Sequence, residues 1–66
     1  MNLYEVVELA VDLPEKGLHE GMVGTIVDVY DDPKAFEVEF DDEDGVEIAL
    51  LALKPEQLRS KRRTQR

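Results

Sequence analysis

Turn-forming residues divide this chain into short segments, and their spacing limits the possible folds more than any other feature. Proline, glycine and aspartate cluster in residues 13–21, 31–34 and 41–45, and a further proline, Pro55, follows near the C-terminal end. Strands separated by turns at intervals of about 8–12 residues are typical of a β-sandwich or a β-barrel. Because 66 residues provide too little chain for two stacked sheets, the sequence predicts one small all-β domain, a five-stranded barrel.

Two segments predict strands most directly. β-Branched residues dominate residues 23–29, and Gly24 inside this segment indicates a bend or bulge that helps the sheet to curl. In residues 35–40, apolar and acidic residues alternate, so the apolar ones should face the core and the acidic ones water. The inward residues are Phe36, Val38 and Phe40, and the outward residues are Glu37 and Glu39.

The N-terminal segment, residues 4–13, admits two interpretations. One set of apolar residues alternates as in a strand, and another fits one face of a helix. The first set is Val7, Leu9, Val11 and Leu13, and the second is Leu3, Val6, Val7 and Ala10. The β-branched residues and the proline that follows favour the strand. In the loop after it, we expect Leu18 to fold back onto the core.

The C-terminal part completes the predicted barrel. Residues 46–53 predict the fourth strand, and residues 54–58 predict a single 3₁₀ turn that Pro55 opens. A short last strand around Leu58 and Arg59 would close the barrel against the first strand. We therefore expect a domain over residues 1–59 and a basic, disordered tail over residues 60–66.

Charge is distributed unevenly along the chain. Residues 1–56 contain all 16 acidic residues against three lysines, a net of −13, whereas residues 57–66 contain five basic residues and no acid. A domain this acidic repels phosphate backbones, because nucleic-acid affinity depends largely on lysine and arginine. The basic tail could contact an acidic surface, including that of its own domain.

The sequence also predicts the compartment. There is no cysteine, so neither a disulfide nor a thiolate zinc site is expected, which fits a reducing cytoplasm. The first residues show no basic segment followed by an apolar run, so we expect no signal peptide. The uncharged stretches, among them residues 48–53, are far shorter than a membrane span. We expect a soluble, cytoplasmic protein.

Three segments resemble a known family in order and spacing. They are Gly21-Met-Val-Gly-Thr-Ile-Val-Asp-Val-Tyr30, Phe36-Glu-Val-Glu-Phe40 and Ala49-Leu-Leu-Ala-Leu-Lys-Pro-Glu-Gln-Leu58, together with a Leu-Pro-Glu-x-Gly-Leu loop at residues 13–18. Over about residues 4–59 the chain resembles a family of small bacterial proteins, domain of unknown function 4926. The resemblance implies a Src-homology-3-like barrel and no enzymatic activity, and it transfers no functional residue.

The residues that could carry chemistry each have a simpler interpretation. His19, the only histidine, lies in a loop with no cysteine anywhere and a single serine, so it predicts neither a catalytic base nor a zinc ligand. Glu37 and Glu39 lack the desolvated pocket that acid–base catalysis needs. The acidic run at 41–45 lacks the ligand spacing of an EF-hand. The pair Gly21 and Gly24 is not followed by a lysine and a helix. We expect no catalytic residue, metal or cofactor.

Binding remains as the predicted activity. We expect a non-enzymatic protein-binding module, possible roles being those of an accessory, antitoxin-like or immunity-like protein, which presents an acidic face to a basic partner. The predicted contact residues are Glu37, Glu39, Asp41, Asp42, Glu43, Asp44 and Glu47. One alternative is a nucleic-acid-associated barrel that uses the basic tail. Another is a self-associating barrel that buries an edge containing Leu50, Leu51 or Leu53. Proline-rich peptide binding is disfavoured because the chain has only four aromatic residues and no tryptophan.

Overall fold

The computed structural model describes residues 1–61, which form five antiparallel strands and two 3₁₀ turns. The strands are β1 (Val6–Leu9), β2 (Val23–Asp31), β3 (Lys34–Asp41), β4 (Glu47–Leu53) and β5 (Leu58–Ser60). The first 3₁₀ turn is Pro14–Lys16 and the second is Pro55–Gln57. The predicted all-β class, the strand interpretation of the N-terminal segment and the late 3₁₀ turn are therefore confirmed.

All five strands belong to one sheet, in the order β4-β3-β2-β1-β5. β5 pairs with β1, as expected for the last strand, with Leu58 opposite Leu9. β4 and β5 stand at the two ends of this order, so the hydrogen-bonded sheet of the described residues is open and has two edges.

The core lies on one face of this sheet and follows the alternation of the strands. Its nine buried residues are Val7, Leu9, Leu18, Ile26, Phe36, Val38, Phe40, Leu53 and Leu58. Leu18 packs onto this core as predicted, since the backbone N–H and C=O groups of Leu13 and Leu18 bond to each other across the first 3₁₀ turn.

The first strand is shorter than its apolar alternation suggests. It ends at Leu9, because the chain that pairs with it turns away there. The N–H group of Met22 donates to the carbonyl oxygen of His19 at 3.2 Å, and Gly21 rather than Met22 donates to the carbonyl oxygen of Leu9. Val11 and Leu13 pack against the core from the following loop rather than from a strand.

Gly24 has a different role from the one predicted. The register between β2 and β3 shifts between Ile26 and Asp28, so the irregularity lies at Val27, while Gly24 pairs regularly with Phe40. A Cβ atom on Gly24 would lie 2.7 Å from Val38 Cγ1, 2.9 Å from the Glu39 carbonyl oxygen and 2.9 Å from Phe40 Cδ1. Glycine is needed here because β3 packs directly against the backbone of β2.

The last strand reaches the start of the predicted tail. β5 extends to Ser60, the first residue of the predicted tail, whereas residues 62–66 lie outside the described part of the chain. Disorder of the tail therefore stays a prediction. Within residues 1–61 there is no helix with the length and apolar character that crossing a membrane requires.

We expect Gly24→Ala to destabilise the fold by about 1–3 kcal/mol, the usual cost of overpacking a core. The added methyl group would contact the backbone oxygen of Glu39, which cannot move without distorting the sheet. Urea unfolding followed by circular dichroism measures the effect. Val23→Ala, at an exposed neighbouring position, is the control and should cost less. Equal stability of Gly24→Ala and the parent protein would show that β2 and β3 are not held this closely.

Candidate functional site

The β3–β4 hairpin brings four carboxylates to the sheet face opposite the core. Glu37 and Glu39 alternate with the buried residues of β3 and are half-buried rather than fully exposed. Asp41 at the end of β3 pairs with Glu47 at the start of β4. We call Glu37, Glu39, Asp41 and Glu47 the acidic face.

The carboxylates of the acidic face crowd one another. A hydrogen bond with the Glu47 carboxyl, followed by repulsion from Asp41, raises the pKa of Glu39 above its ordinary value. The Tyr30 hydroxyl donates to Glu37 Oε1 at 3.0 Å, and this bond to a carboxylate raises the pKa of Tyr30. Among residues 1–61, no lysine, arginine or histidine forms an ion pair with any member of this face.

The remaining predicted contact residues lie in the hairpin loop. Asp42 Oδ1 accepts hydrogen bonds from the N–H groups of Asp44 and Val46, both at 2.9 Å, so this carboxylate holds the loop in shape. Gly45 adopts a φ of 80°, which favours glycine. Glu43 and Asp44 are exposed at the tip. In the described part of the chain, histidine, aspartate and glutamate form no cluster that could hold a metal ion.

At the other end of the sheet, β1 and β5 neutralise their acidic residues with basic residues of the same chain. Arg59 Nε donates to Glu8 Oε1 at 2.8 Å, and its Nη1 donates to Glu20 Oε2 at 3.1 Å. Lys61 Nζ lies 3.3 Å from the second oxygen of Glu8, and the Ser60 hydroxyl donates to Glu5 at 2.8 Å. We call this group, Glu5, Glu8, Glu20, Arg59, Ser60 and Lys61, the terminal clamp.

Sequence reasoning did not identify the terminal clamp, although a signal for it existed. The expected pairing of the last strand with the first places Arg59 directly opposite Glu8. Opposite charges at such a cross-strand position stabilise an antiparallel pair. The idea that the basic tail contacts its own domain therefore applies to Arg59 and Lys61.

The single histidine has ordinary surroundings. His19 is exposed, its Nδ1 atom lies 3.2 Å from the Glu20 carbonyl oxygen, and its backbone N–H points to the sulfur of Met22. A surface groove of about 480 Å³ lies elsewhere, beside the second 3₁₀ turn. Its lining includes Leu53, Pro55 and the two lysines Lys34 and Lys54, and it contains neither His19 nor a serine.

β4 exposes apolar side chains next to the acidic face. Ile48 and Leu50 are 47% and 48% exposed. Of the three leucines considered for self-association, Leu50 is exposed, Leu51 is half-buried and Leu53 is buried in the core. Leu50 sits directly opposite Glu39 in the register, so apolar and acidic groups adjoin on one surface.

We expect Glu39→Gln to stabilise the fold near pH 7. An acid whose pKa is raised on folding opposes folding when it is ionised, so stability falls as the pH rises through that pKa. The amide removes one of the crowded charges and can donate to Glu47. The urea midpoint should rise near pH 7, and the difference from the parent should vanish below about pH 4, where the carboxyl is protonated in both states. A lower midpoint near pH 7 would contradict the crowding.

We expect Glu8→Gln, which makes the same change of charge, to have the opposite effect. Hydrogen bonds from Arg59 and then Lys61 lower the pKa of Glu8. A lowered pKa contributes stability that is present above the unfolded value and is lost as the pH falls through the folded value. The variant should have a lower urea midpoint near pH 7 and approach the parent in acid. A pH-independent difference would mean that the amide disturbs packing rather than the ion pairs.

The comparison with protein families gives the relationship of the chain. Residues 3–60 match the family described as "Domain of unknown function (DUF4926)". No curated protein and no solved structure matches the chain. The match covers nearly all of the folded part, from before β1 to the end of β5. The resemblance of the three separated segments is thereby confirmed, and the chain belongs to the DUF4926 family.

Proposed function

We propose that this chain is a non-enzymatic protein-binding module whose acidic face binds a basic surface of a partner protein. An accessory, antitoxin-like or immunity-like role fits such a module, because binding alone would cover or hold the partner. The residues assigned to the contact are Glu37, Glu39, Asp41 and Glu47, with Glu43 and Asp44 at the margin.

One observation supports this proposal most: acidic residues form ion pairs within the chain at one end of the sheet and form none with the described residues at the other end. At the terminal clamp, Arg59 and Lys61 pair with Glu8 and Glu20 within the chain. At the acidic face, carboxylates adjoin one another, and the described residues supply no cation to them. Repulsion among like charges costs folding energy, so a partner that supplies lysine or arginine gains favourable contacts there.

The surroundings of the acidic face suit a protein surface. Leu50 and Ile48 are exposed beside it, and interfaces combine such apolar contacts with a polar rim. Complementary charge speeds the encounter of two proteins and fixes their orientation. The crowded Glu39 also gains from a cation, since an opposite charge nearby favours the ionised carboxylate.

Nucleic-acid binding has less support. That alternative relies on the basic tail, yet Arg59 and Lys61 lie in ion pairs with the domain itself. The large negative charge of residues 1–56 opposes contact with phosphates.

The Src-homology-3-like barrel and the cytoplasmic location are part of the same proposal. The second 3₁₀ turn packs against β3 and β5, and Leu53 of β4 shares the core with Leu58 of β5. These contacts support a barrel whose closure relies on side chains at the turn rather than on backbone pairing of β4 with β5. The absence of cysteine suits a reducing compartment.

The experiment is affinity purification of the tagged protein from the cells that encode it, with mass spectrometry and an RNA stain on the same eluate. We expect one enriched basic protein, and we expect Glu39→Lys to reduce its recovery by about tenfold or more, since like charges would then meet across the interface.

The matched control is Glu15→Lys, which makes the same charge change at an exposed residue of the first 3₁₀ turn. Recovery with this control should equal that of the parent. Equal loss of partner recovery in both variants would mean that net charge, and not the acidic face, determines binding. Recovery of RNA without a protein would overturn the proposal.

A further inference from the structure

The two edges of the sheet differ in how they are protected. β5 has only three residues, contains Arg59 and is followed by Lys61. β4 has seven residues, and from Ile48 to Leu53 it contains no charge, proline or glycine. Natural edge strands usually carry such features because an unprotected edge pairs with other strands. β5 is protected in this way, whereas β4 has a charge only at its start, Glu47, and in the residue that follows it, Lys54, so its length from Ile48 to Leu53 is unprotected.

β4 offers hydrogen-bonding groups along its outer side. β3 is its only partner among the described strands, so alternate residues of β4 direct their N–H and C=O groups away from the sheet. These groups repeat at the spacing that a further strand requires. Adding an extended segment to such an edge is a common mode of peptide recognition.

The side chains of β4 leave apolar surface uncovered on both faces of the sheet. On the core face, Ala49 and Leu51 are only half-buried although they pack against the buried cluster. On the opposite face, Ile48 and Leu50 are about half exposed. An added strand would extend the core beside Leu51 and would also cover one side of Leu50.

The carboxylates beside β4 favour an added strand with basic side chains. Glu39 lies opposite Leu50 and Glu37 opposite Ala52, on the face away from the core. Strands lie about 4.8 Å apart, so a residue on an added strand is separated from Glu39 by the width of β4. A lysine or arginine can span this width, because its apolar stem would lie across Leu50 while its charge reaches the carboxylate.

The same charges disfavour a second copy of this chain. Antiparallel pairing of two β4 strands would place two acidic faces in one continuous sheet, where eight carboxylates would share a surface with no cation from the described residues. A heterologous basic strand is favoured over self-pairing for this reason.

We propose that β4 accepts, as an added strand, an extended segment of a partner protein in which apolar residues alternate with lysine or arginine. The apolar residues of that segment continue the core beside Ala49 and Leu51, and its basic residues cross Leu50 to Glu37 and Glu39. The inference rests on the proposed function, namely binding of a basic protein, and adds the mode of contact.

The test uses a synthetic peptide as long as β4, capped at both ends, in which valine alternates with lysine. The control peptide has the same composition with its valines in one half and its lysines in the other. Binding is titrated by NMR with the full chain, and amide hydrogen exchange is measured with and without peptide. We expect slower exchange at alternate residues of β4 with the alternating peptide, and binding weaker by about tenfold for the control peptide.

Two variants separate edge pairing from general attraction. Leu50→Lys places a charge on the exposed edge and should weaken binding of the alternating peptide by about tenfold. Val6→Lys makes a matched change at a residue of similar exposure, 44% against 48%, on β1, which has partners on both sides. Binding by this second variant should stay close to that of the parent.

Several results would overturn the inference. Equal binding of both peptides without protection of β4 amides would show that charge attraction alone accounts for binding and would exclude strand addition. The proposed function would not be affected by this result, because the affinity purification tests it separately. No binding of the alternating peptide would exclude the predicted pattern. The β4 amides could also be protected from exchange without peptide. If this protection and the molecular mass from light scattering both rose with protein concentration, the edge would pair with a second copy of the chain.

Discussion

The Phe40 ring packs over Gly24, and this contact fixes the register of the two longest strands. Since a Cβ atom at position 24 would contact both the ring and the backbone of β3, only glycine permits the approach. A shift of one residue in this pairing would exchange the two faces of β3. The register that is observed directs Phe36 and Val38 to the core and leaves Glu37 and Glu39 on the other side. The acidic face is thus a direct consequence of how the core packs.

Negative charges are neutralised by ion pairs at one end of the sheet and accumulate at the other end. Glu8 is stabilised as a carboxylate by Arg59 and Lys61, whereas Glu39 is held against Glu47 and Asp41. The same two ends differ in their edges, since β5 is short and basic and β4 is long and apolar. Carboxylates without an ion-pair partner among the described residues and a strand edge without a neighbouring strand therefore occur together, and the proposed binding surface rests on this coincidence.

Local patterns in the sequence were sufficient for most of the fold. Period-two alternation identified β3, Asp-Gly identified the hairpin loop, and Pro55 identified the second 3₁₀ turn. The true end of β1 was missed, because it depends on where the paired chain turns away, at the bond from Met22 to His19, and not on the residues of β1 itself. Gly24 was recognised as special, but a glycine in a strand signals a bulge or a close approach equally well, and only the packing of Phe40 decides between them.

The site was predicted less completely for the same physical reason. Sequence proximity joined seven acids into one surface, yet pairing between strands decides which of them adjoin. This pairing separates Asp42, whose carboxylate bonds to its own loop, from Glu39 and Glu47, whose carboxyl groups adjoin and raise the pKa of Glu39. The openness of the sheet also could not be read from the residues, because closure depends on curvature accumulated over all five strands.

The pairing of β5 with β1 also has a geometric consequence for any protein that carries this domain. The N–H group of Lys61 points to the carbonyl oxygen of Val6 at 3.4 Å, so the chain enters and leaves the fold at adjacent points. Domains whose ends adjoin in this way can be inserted into a surface loop of a host protein, or rejoined end to end and opened elsewhere, with little change to their interior. Since β4 lies at the opposite end of the sheet order, such a fusion would leave its edge accessible.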